Sequence, residues 1–280
     1  MARLNGKFIS GVAGPVIFKK VGNKQFVTGK CSKPQIDMTE ATYNAAFIFG
    51  RASTLAAYIR NKASDIIRYY DSGMISKLTG ECNRIVQKTA DSAFTLNTSD
   101  HDYFERLNGF EFNIESPVRS YLFAQPKVST TEEKVVIDFP EMDIPKDLAF
   151  APKAKCCTVA VKVLLLDLHH ELLLTQDIQS FDIQLNANSY ILPKQQLTFE
   201  GAAGSLCIVY LSLFYTERTF AGNIILNNQQ LSPCAILKAT FCPGIAVEQE
   251  GWRSMNFNEK KKRKNLRKKT STTMTKKIKQ

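Results

Sequence analysis

No stretch constrains this chain more than Asp37 to Arg60, the longest segment with one unbroken pattern. Small and apolar residues recur there at three- and four-residue steps through Ala41, Ala45, Phe49, Ala52, Ala56 and Ile59, with Ile48 and Leu55 widening the stripe. That spacing predicts an amphipathic helix. Asp37 stands three residues before Glu40, the reciprocal arrangement of a capping box, and marks the expected start. Gly50 interrupts the middle at about 1 kcal/mol relative to alanine, so a close approach by another backbone is expected there. The helix is scaffold and carries no chemistry.

The rest of the chain supplies partners for that face. With 280 residues, 44% hydrophobic and 22% charged, the composition is that of a globular protein long enough for two domains with their own cores. No apolar run approaches a membrane span and Met1 to Ser10 lacks the apolar core of a signal peptide. The expected compartment is the cytoplasm, with no membrane partner. Seven cysteines without a C-x-x-C pair fit reduced, buried thiols better than a disulfide framework. In a strand, the adjacent Cys156 and Cys157 point to opposite faces.

Charge is unevenly spread. The whole chain is +11; residues 1–88 carry +9 and residues 253–280 carry +11, which leaves −9 for residues 89–252. A basic head, an acidic body and a very basic tail suggest an electrostatic partner or attraction between subunits.

Between Gly11 and Lys30, the runs Pro15–Phe18 and Gln25–Thr28 flank the Val21-Gly22-Asn23 break and predict a small hairpin. Pro34 favours an extended Lys33 before the helix. After Arg60, a short helix is expected over Ala63–Tyr70 and a longer one over Ser72–Ala90, where Ile75, Leu78, Cys82, Ile85 and Val86 keep helical spacing despite Gly73 and Gly80. Asn97 to Asp100 reads as loop. From Phe110 the pattern becomes β. Phe110, Phe112 and Ile114 alternate, as do Val135 and Ile137. Val159, Val161, Val163 and Leu165 form one face of a long strand whose other face carries Ala160, Lys162, Leu164 and Leu166. Ile178–Leu185, Gln196–Glu200, Leu206–Tyr215 and Ala235–Phe241 are further strands, with Trp252 beyond the last.

The fold class expected is therefore α+β: a small N-terminal hairpin and a helical segment, then an antiparallel β-sandwich of immunoglobulin-like type without the cysteine and tryptophan hallmark, and a disordered basic tail. The corresponding divisions are residues 1–36, 37–100, 101–250 and 251–280, with Phe110 to Phe241 expected to be stable alone.

Several residues also carry a family resemblance. Gly14-Pro15-Val16, Val21-Gly22-Asn23, Ser32-Lys33-Pro34, Thr39-Glu40-Ala41-Thr42 and Phe49-Gly50-Arg51-Ala52-Ser53 with Arg60 resemble the opening of a family of uncharacterised bacterial proteins. Gly109-Phe110-Glu111-Phe112-Asn113 with Ser116-Pro117 is similar to its second landmark. The resemblance covers about the first 120 residues and implies a Gly-Pro leader ahead of a helical segment and a β-sandwich. It implies no activity and no catalytic residue.

Motifs with chemistry are sparse. Gly22 to Cys31 ends in Gly29-Lys30 but has the wrong glycine spacing for a phosphate loop and Cys31 in place of the magnesium-binding Ser/Thr. Asp167, His169, His170 and Glu171 form the one compact cluster of metal-ligand types, but between Leu164-Leu165-Leu166 and Leu172-Leu173-Leu174 they read as a polar turn joining two strands. His101 sits in a polar loop. No serine elbow or cysteine signature is present. No catalytic residue, metal site, cofactor or small-molecule ligand is expected.

The reading that follows is a non-enzymatic structural or protein-interaction protein that binds a protein partner or itself. A competing reading is accessory, non-specific nucleic-acid binding through the phosphate backbone. For either, the contact residues expected are Lys19, Lys20, Lys24, Lys30 and Lys33 in the leader and Lys260, Lys261, Lys262, Arg263, Lys264, Arg267, Lys268 and Lys269 in the tail.

Overall fold

The computed structural model describes residues 2–30, 39–89, 101–220, 222–246 and 251–257. Its contacts group the chain into two compact units, Met1–Ala45 and Ala46–Gln280.

The first unit is a four-stranded antiparallel meander, β1 Arg3–Asn5, β2 Phe8–Ala13, β3 Val16–Val21 and β4 Lys24–Gly29, in the order β1-β2-β3-β4. Gly6, Gly14 and Gly22 each open a two-residue turn with φ between 56° and 60°, the left-handed backbone that matches hairpin twist and that glycine alone adopts freely. The single hairpin expected is thus extended backward by two strands. Helix α1, Glu40–Lys62, begins in this unit. The Oγ1 of Thr39 accepts the Thr42 N–H at 3.2 Å, which makes Thr39 the cap; Asp37, expected in that role, lies outside the described residues.

In the second unit, α1 buries Arg51, Ala52, Leu55, Ala56 and Ile59. Phe49 is 55% exposed, so the stripe is narrower than its spacing implies. Among the described residues, a Cβ on Gly50 would meet nothing within 4 Å, so none of them makes the expected backbone approach. Ala63–Tyr70 is not helical. The chain turns at 63–66, holding the consecutive Ile66 and Ile67 in the core while Asp65 pairs with Lys162. Helix α2, Met74–Thr89, buries Met74, Leu78, Cys82, Ile85 and Val86, but Ile75 is exposed.

Thirteen further strands are described in this unit. They are β5 Phe110–Glu111, β6 Lys127–Thr130, β7 Lys134–Phe139, β8 Met142–Ile144 and β9 Cys156–Asp167. After these come β10 Leu172–Thr175, β11 Gln179–Gln184, β12 Tyr190–Leu192 and β13 Gln195–Glu200. The series ends with β14 Leu206–Thr219, β15 Gly222–Ile225, β16 Cys234–Phe241 and β17 Arg253–Ser254. Trp252 therefore precedes the last described strand. Phe110, Phe112 and Ile114 do not make one alternating strand, since pairing stops at Glu111 and Ile114 is exposed.

β9 and β14 form the antiparallel spine of an eight-stranded sheet, with Val163 opposite Val209 and Leu166 opposite Leu206. Both are apolar on both faces because both faces are covered. Val159, Val161, Val163 and Leu165 share a core with Val135, Ile137 and Phe139 of β7 and Phe199 of β13, in the smaller sheet β13-β7-β6. Leu164, Leu166, Leu206, Ile208 and Tyr210 face the other way and share a core with Leu55, Ile59, Leu78, Ile85 and Phe104. The result is an α+β sandwich in three layers, helices, large sheet and small sheet. The helical segment and the β region share a core across the expected division near residue 100.

Gly204 pins one edge of this arrangement. At φ +69°, a Cβ there would lie 2.3 Å from the Ala246 nitrogen.

Candidate interaction surfaces

The meander carries the leader lysines. Lys19 stands opposite Phe26, Lys20 opposite Gln25 and Lys24 opposite Val21, while Lys30 follows β4 and donates its backbone N–H to the Pro15 carbonyl. The Lys20 ammonium lies 4.7 Å and the Lys7 ammonium 5.6 Å from the Phe8 ring centroid. All of these lysines are exposed, and so are Leu4, Ile9, Val21, Phe26 and Val27. No side chain of β1–β4 is buried. Lys33 and the tail residues Lys260, Lys261, Lys262, Arg263, Lys264, Arg267, Lys268 and Lys269 lie outside the described residues. Gly29 ends β4, and Lys30 follows it outside any described helix or strand.

The polar constellations of the second unit are accounted for by local structure. Asp167 ends β9, and its Oδ1 accepts the N–H groups of His169 and His170 at 3.0 Å while its Oδ2 meets His170 Nδ1 at 2.6 Å. This is the polar turn expected between two apolar strands. Among the described residues, no group of three or more His, Cys, Asp or Glu is placed to hold a metal. Glu171 leaves the turn at φ 54° and reaches Arg51 Nη2 at 3.4 Å. Arg51 is buried beneath the Phe257 ring, 4.8 Å from its centroid. The segment around Phe257 is fastened there: β17 pairs with β10, and the Met255 N–H donates to the Glu171 carbonyl.

Asp71 orders the approach to α2. Its Oδ1 accepts the Gly73 N–H at 2.7 Å and its Oδ2 the Ile114 N–H at 3.2 Å. Burial pushes this carboxyl up, but those two N–H groups and Lys77 outweigh burial and hold it below the ordinary value. The six described cysteines are free thiols. Cys242 shares a hydrogen bond with Cys207, which lowers the Cys242 thiol to about 6. Both are buried in the core.

A groove of about 540 Å³ beside α2 brings together Lys77, Arg84 and Arg106 with Phe110. Sequence reasoning missed it, although Lys77, Gly80 and Arg84 have the spacing of one helix face. Its cations are paired: Arg84 and Arg106 share Glu81, and Lys77 meets Asp71.

The second unit also presents an apolar projection. β14 pairs with β9 only as far as Thr216, and from there to Thr219 it pairs with β15 alone among the described residues. At the tip Phe220 is fully exposed, and every residue of β15 is exposed, Ile224 and Ile225 included. At the foot of this hairpin lies an uncharged pocket of about 370 Å³, lined by Tyr121, Phe150, Ala151, Pro152, Leu226 and Leu231. The expected strand end at Tyr215 hid the projection, because Thr216-Glu217-Arg218-Thr219 reads as a polar stop.

Among the described residues, no helix is long and apolar enough to cross a membrane. Comparison of the chain with protein-family models, with curated proteins and with solved structures returns no match to any of them.

Proposed function

We propose that this chain is a non-enzymatic structural protein that associates with further copies of itself, the basic β1–β4 meander of one copy docking on the acidic β body of another. The observation that carries the reading is a four-stranded sheet in which no side chain is buried. Sheets of this size need a covered apolar face for stability, and Leu4, Phe26 and Val27 remain in solvent. Residues 1–36 hold seven basic and no acidic side chains, while residues 89–252 carry −9. A second copy therefore offers the complementary charge without another component.

A second reading is favoured by one specific adjacency. Exposed Lys19 beside exposed Phe26 is the pairing of cation and aromatic platform by which sheets hold single-stranded nucleic acid. Light scattering of the full chain separates the two. Association at about 50 mM salt that is lost near 0.5 M, where screening shortens to a few ångströms, and lost also in the triple variant Lys19→Glu, Lys20→Glu, Lys24→Glu, supports self-docking. Unchanged association in that variant contradicts it. Tight binding of mixed-sequence single strands, abolished by the same variant in a chain that does not self-associate, establishes the second reading instead.

A further inference from the structure

We propose that the groove beside α2 binds a small phosphate monoester that carries a planar ring, a nucleoside monophosphate in chemical class, with the phosphate on Arg84 and Arg106 and the ring on Phe110. The groove lies within the second unit, so the proposal does not rest on the self-docking of the meander.

Two arginines reach the groove from different parts of the chain. Arg84 comes from α2 and Arg106 from the short 3-10 helix His101–Leu107, and both meet one carboxylate, Glu81. Arg84 gives its Nη1 to one Glu81 oxygen, and Arg106 gives its Nε to the other at 3.0 Å. Among the described residues, no partner takes the remaining N–H groups of either arginine. One carboxylate neutralises one of the two guanidiniums. A second anion on their unused edges completes the pairing, because the fork of N–H groups on a guanidinium matches the oxygens of an anion two at a time. A phosphate monoester suits this better than a carboxylate, since it brings nearly two negative charges and three free oxygens to be shared between two forks.

The other polar groups of the lining are biased the same way. Asn108 spends its Oδ1 on the Ala239 N–H at 2.7 Å, which leaves its amide N–H groups as donors. Lys77 adds a third cation, 3.4 Å from Asp71. Three cations thus stand against the carboxylates of Glu81 and Asp71, and the groove keeps an excess of positive charge and of hydrogen-bond donors.

Gly80 and Phe110 supply room and an apolar wall. Gly80 lines the groove one turn before Arg84, inside a helix, where glycine is unfavourable relative to alanine. Among the described residues, a Cβ there would meet nothing within 4 Å, so packing does not require the glycine; its missing side chain enlarges the groove. The volume of about 540 Å³ is that of a small-molecule site. The partly buried Phe110 ring is held in place by the buried Phe112 ring, 5.4 Å away and edge-on. A fixed aromatic ring beside arginines is a platform on which a base stacks while its phosphate is held.

Calorimetric titration of the full chain with adenosine monophosphate at about 0.15 M salt tests this, with adenosine and inorganic phosphate as separate probes. We expect a dissociation constant below about 1 mM for the monophosphate and binding weaker by about tenfold or more for each of the other two probes. Arg84→Lys keeps the charge but loses the fork, and Gly80→Leu fills the groove while favouring the helix; each should weaken binding of the monophosphate by about tenfold or more. Circular dichroism verifies that both variants fold. The triple variant Lys19→Glu, Lys20→Glu, Lys24→Glu should bind the monophosphate as the unaltered chain does; loss of binding there would place the ligand on the meander and overturn the proposal. No binding of the monophosphate, equally tight binding of adenosine or of inorganic phosphate, or full binding by Gly80→Leu also overturns it.

Discussion

The hydroxyl of Tyr210 donates to the backbone carbonyl of Ile59 at 2.9 Å, with both residues fully buried. This bond runs from the spine strand of the sheet to the end of α1, where carbonyls lack helical partners. Removing the hydroxyl by Tyr210→Phe leaves that carbonyl unsatisfied away from water and should lower stability by about 1 to 3 kcal/mol. Because the helices and the large sheet share one core, the loss should move a single cooperative transition of the second unit. Chemical denaturation followed by far-ultraviolet and tyrosine signals checks this; separate transitions for helices and sheet contradict it.

Asp71 makes stability depend on acid. Its folded-state value lies below the ordinary carboxylate value, so its contribution is fully present above the unfolded value and is lost as pH falls through the folded one, below about pH 4. Asp71→Asn removes the charge and one of the two acceptor oxygens, leaving the Gly73 or the Ile114 N–H without a partner. Thermal unfolding from pH 7 to pH 3 should show the variant less stable at neutrality and the gap narrowing toward acid. A gap constant over that range would assign the carboxylate no role.

What the sequence discloses here follows from how locally each feature is determined. The two faces of β9 were legible because alternation within one strand needs no knowledge of its neighbours, and Val161 and Lys162 do face opposite layers. The turn at Asp167 was legible because its side chain bonds within three residues. Exposure of Phe49 and Ile75 was not, since which part of a helical stripe is covered depends on elements far along the chain. The hairpin beyond Tyr215 and the α2 groove were hidden for a related reason: Glu217 and Arg218, or Lys77 and Arg106, acquire meaning only from strand pairing and from residues brought in from elsewhere.

Glu171 combines strain with compensation. A residue other than glycine at φ 54° costs about 1 to 2 kcal/mol, yet its carboxylate is the ion-pair partner of buried Arg51. Glu171→Ala keeps the strain and strands the cation, and should destabilise by about 2 to 4 kcal/mol, given that Glu171 is partly exposed. Glu171→Gly strands the cation but relieves the backbone, and should cost about 1 kcal/mol less. Equal losses in the two variants would show that the backbone conformation stores nothing.

Gly204→Ala should be more damaging than any surface change in the same sheet. The new methyl would collide with the Ala246 backbone at a φ of +69°, and a flexible side chain is not there to yield. A loss of about 2 kcal/mol or more is expected by equilibrium unfolding; a neutral substitution would mean that the segment at Ala246 does not lie against Gly204.

The self-docking of the meander is tested most directly by hydrogen exchange of the β1–β4 amides, residues 3–29, as a function of protein concentration and salt. If a second copy covers the meander, these amides exchange progressively more slowly as concentration rises at about 50 mM salt and return to fast exchange near 0.5 M. Exchange that is the same at every concentration and in both salts contradicts the account.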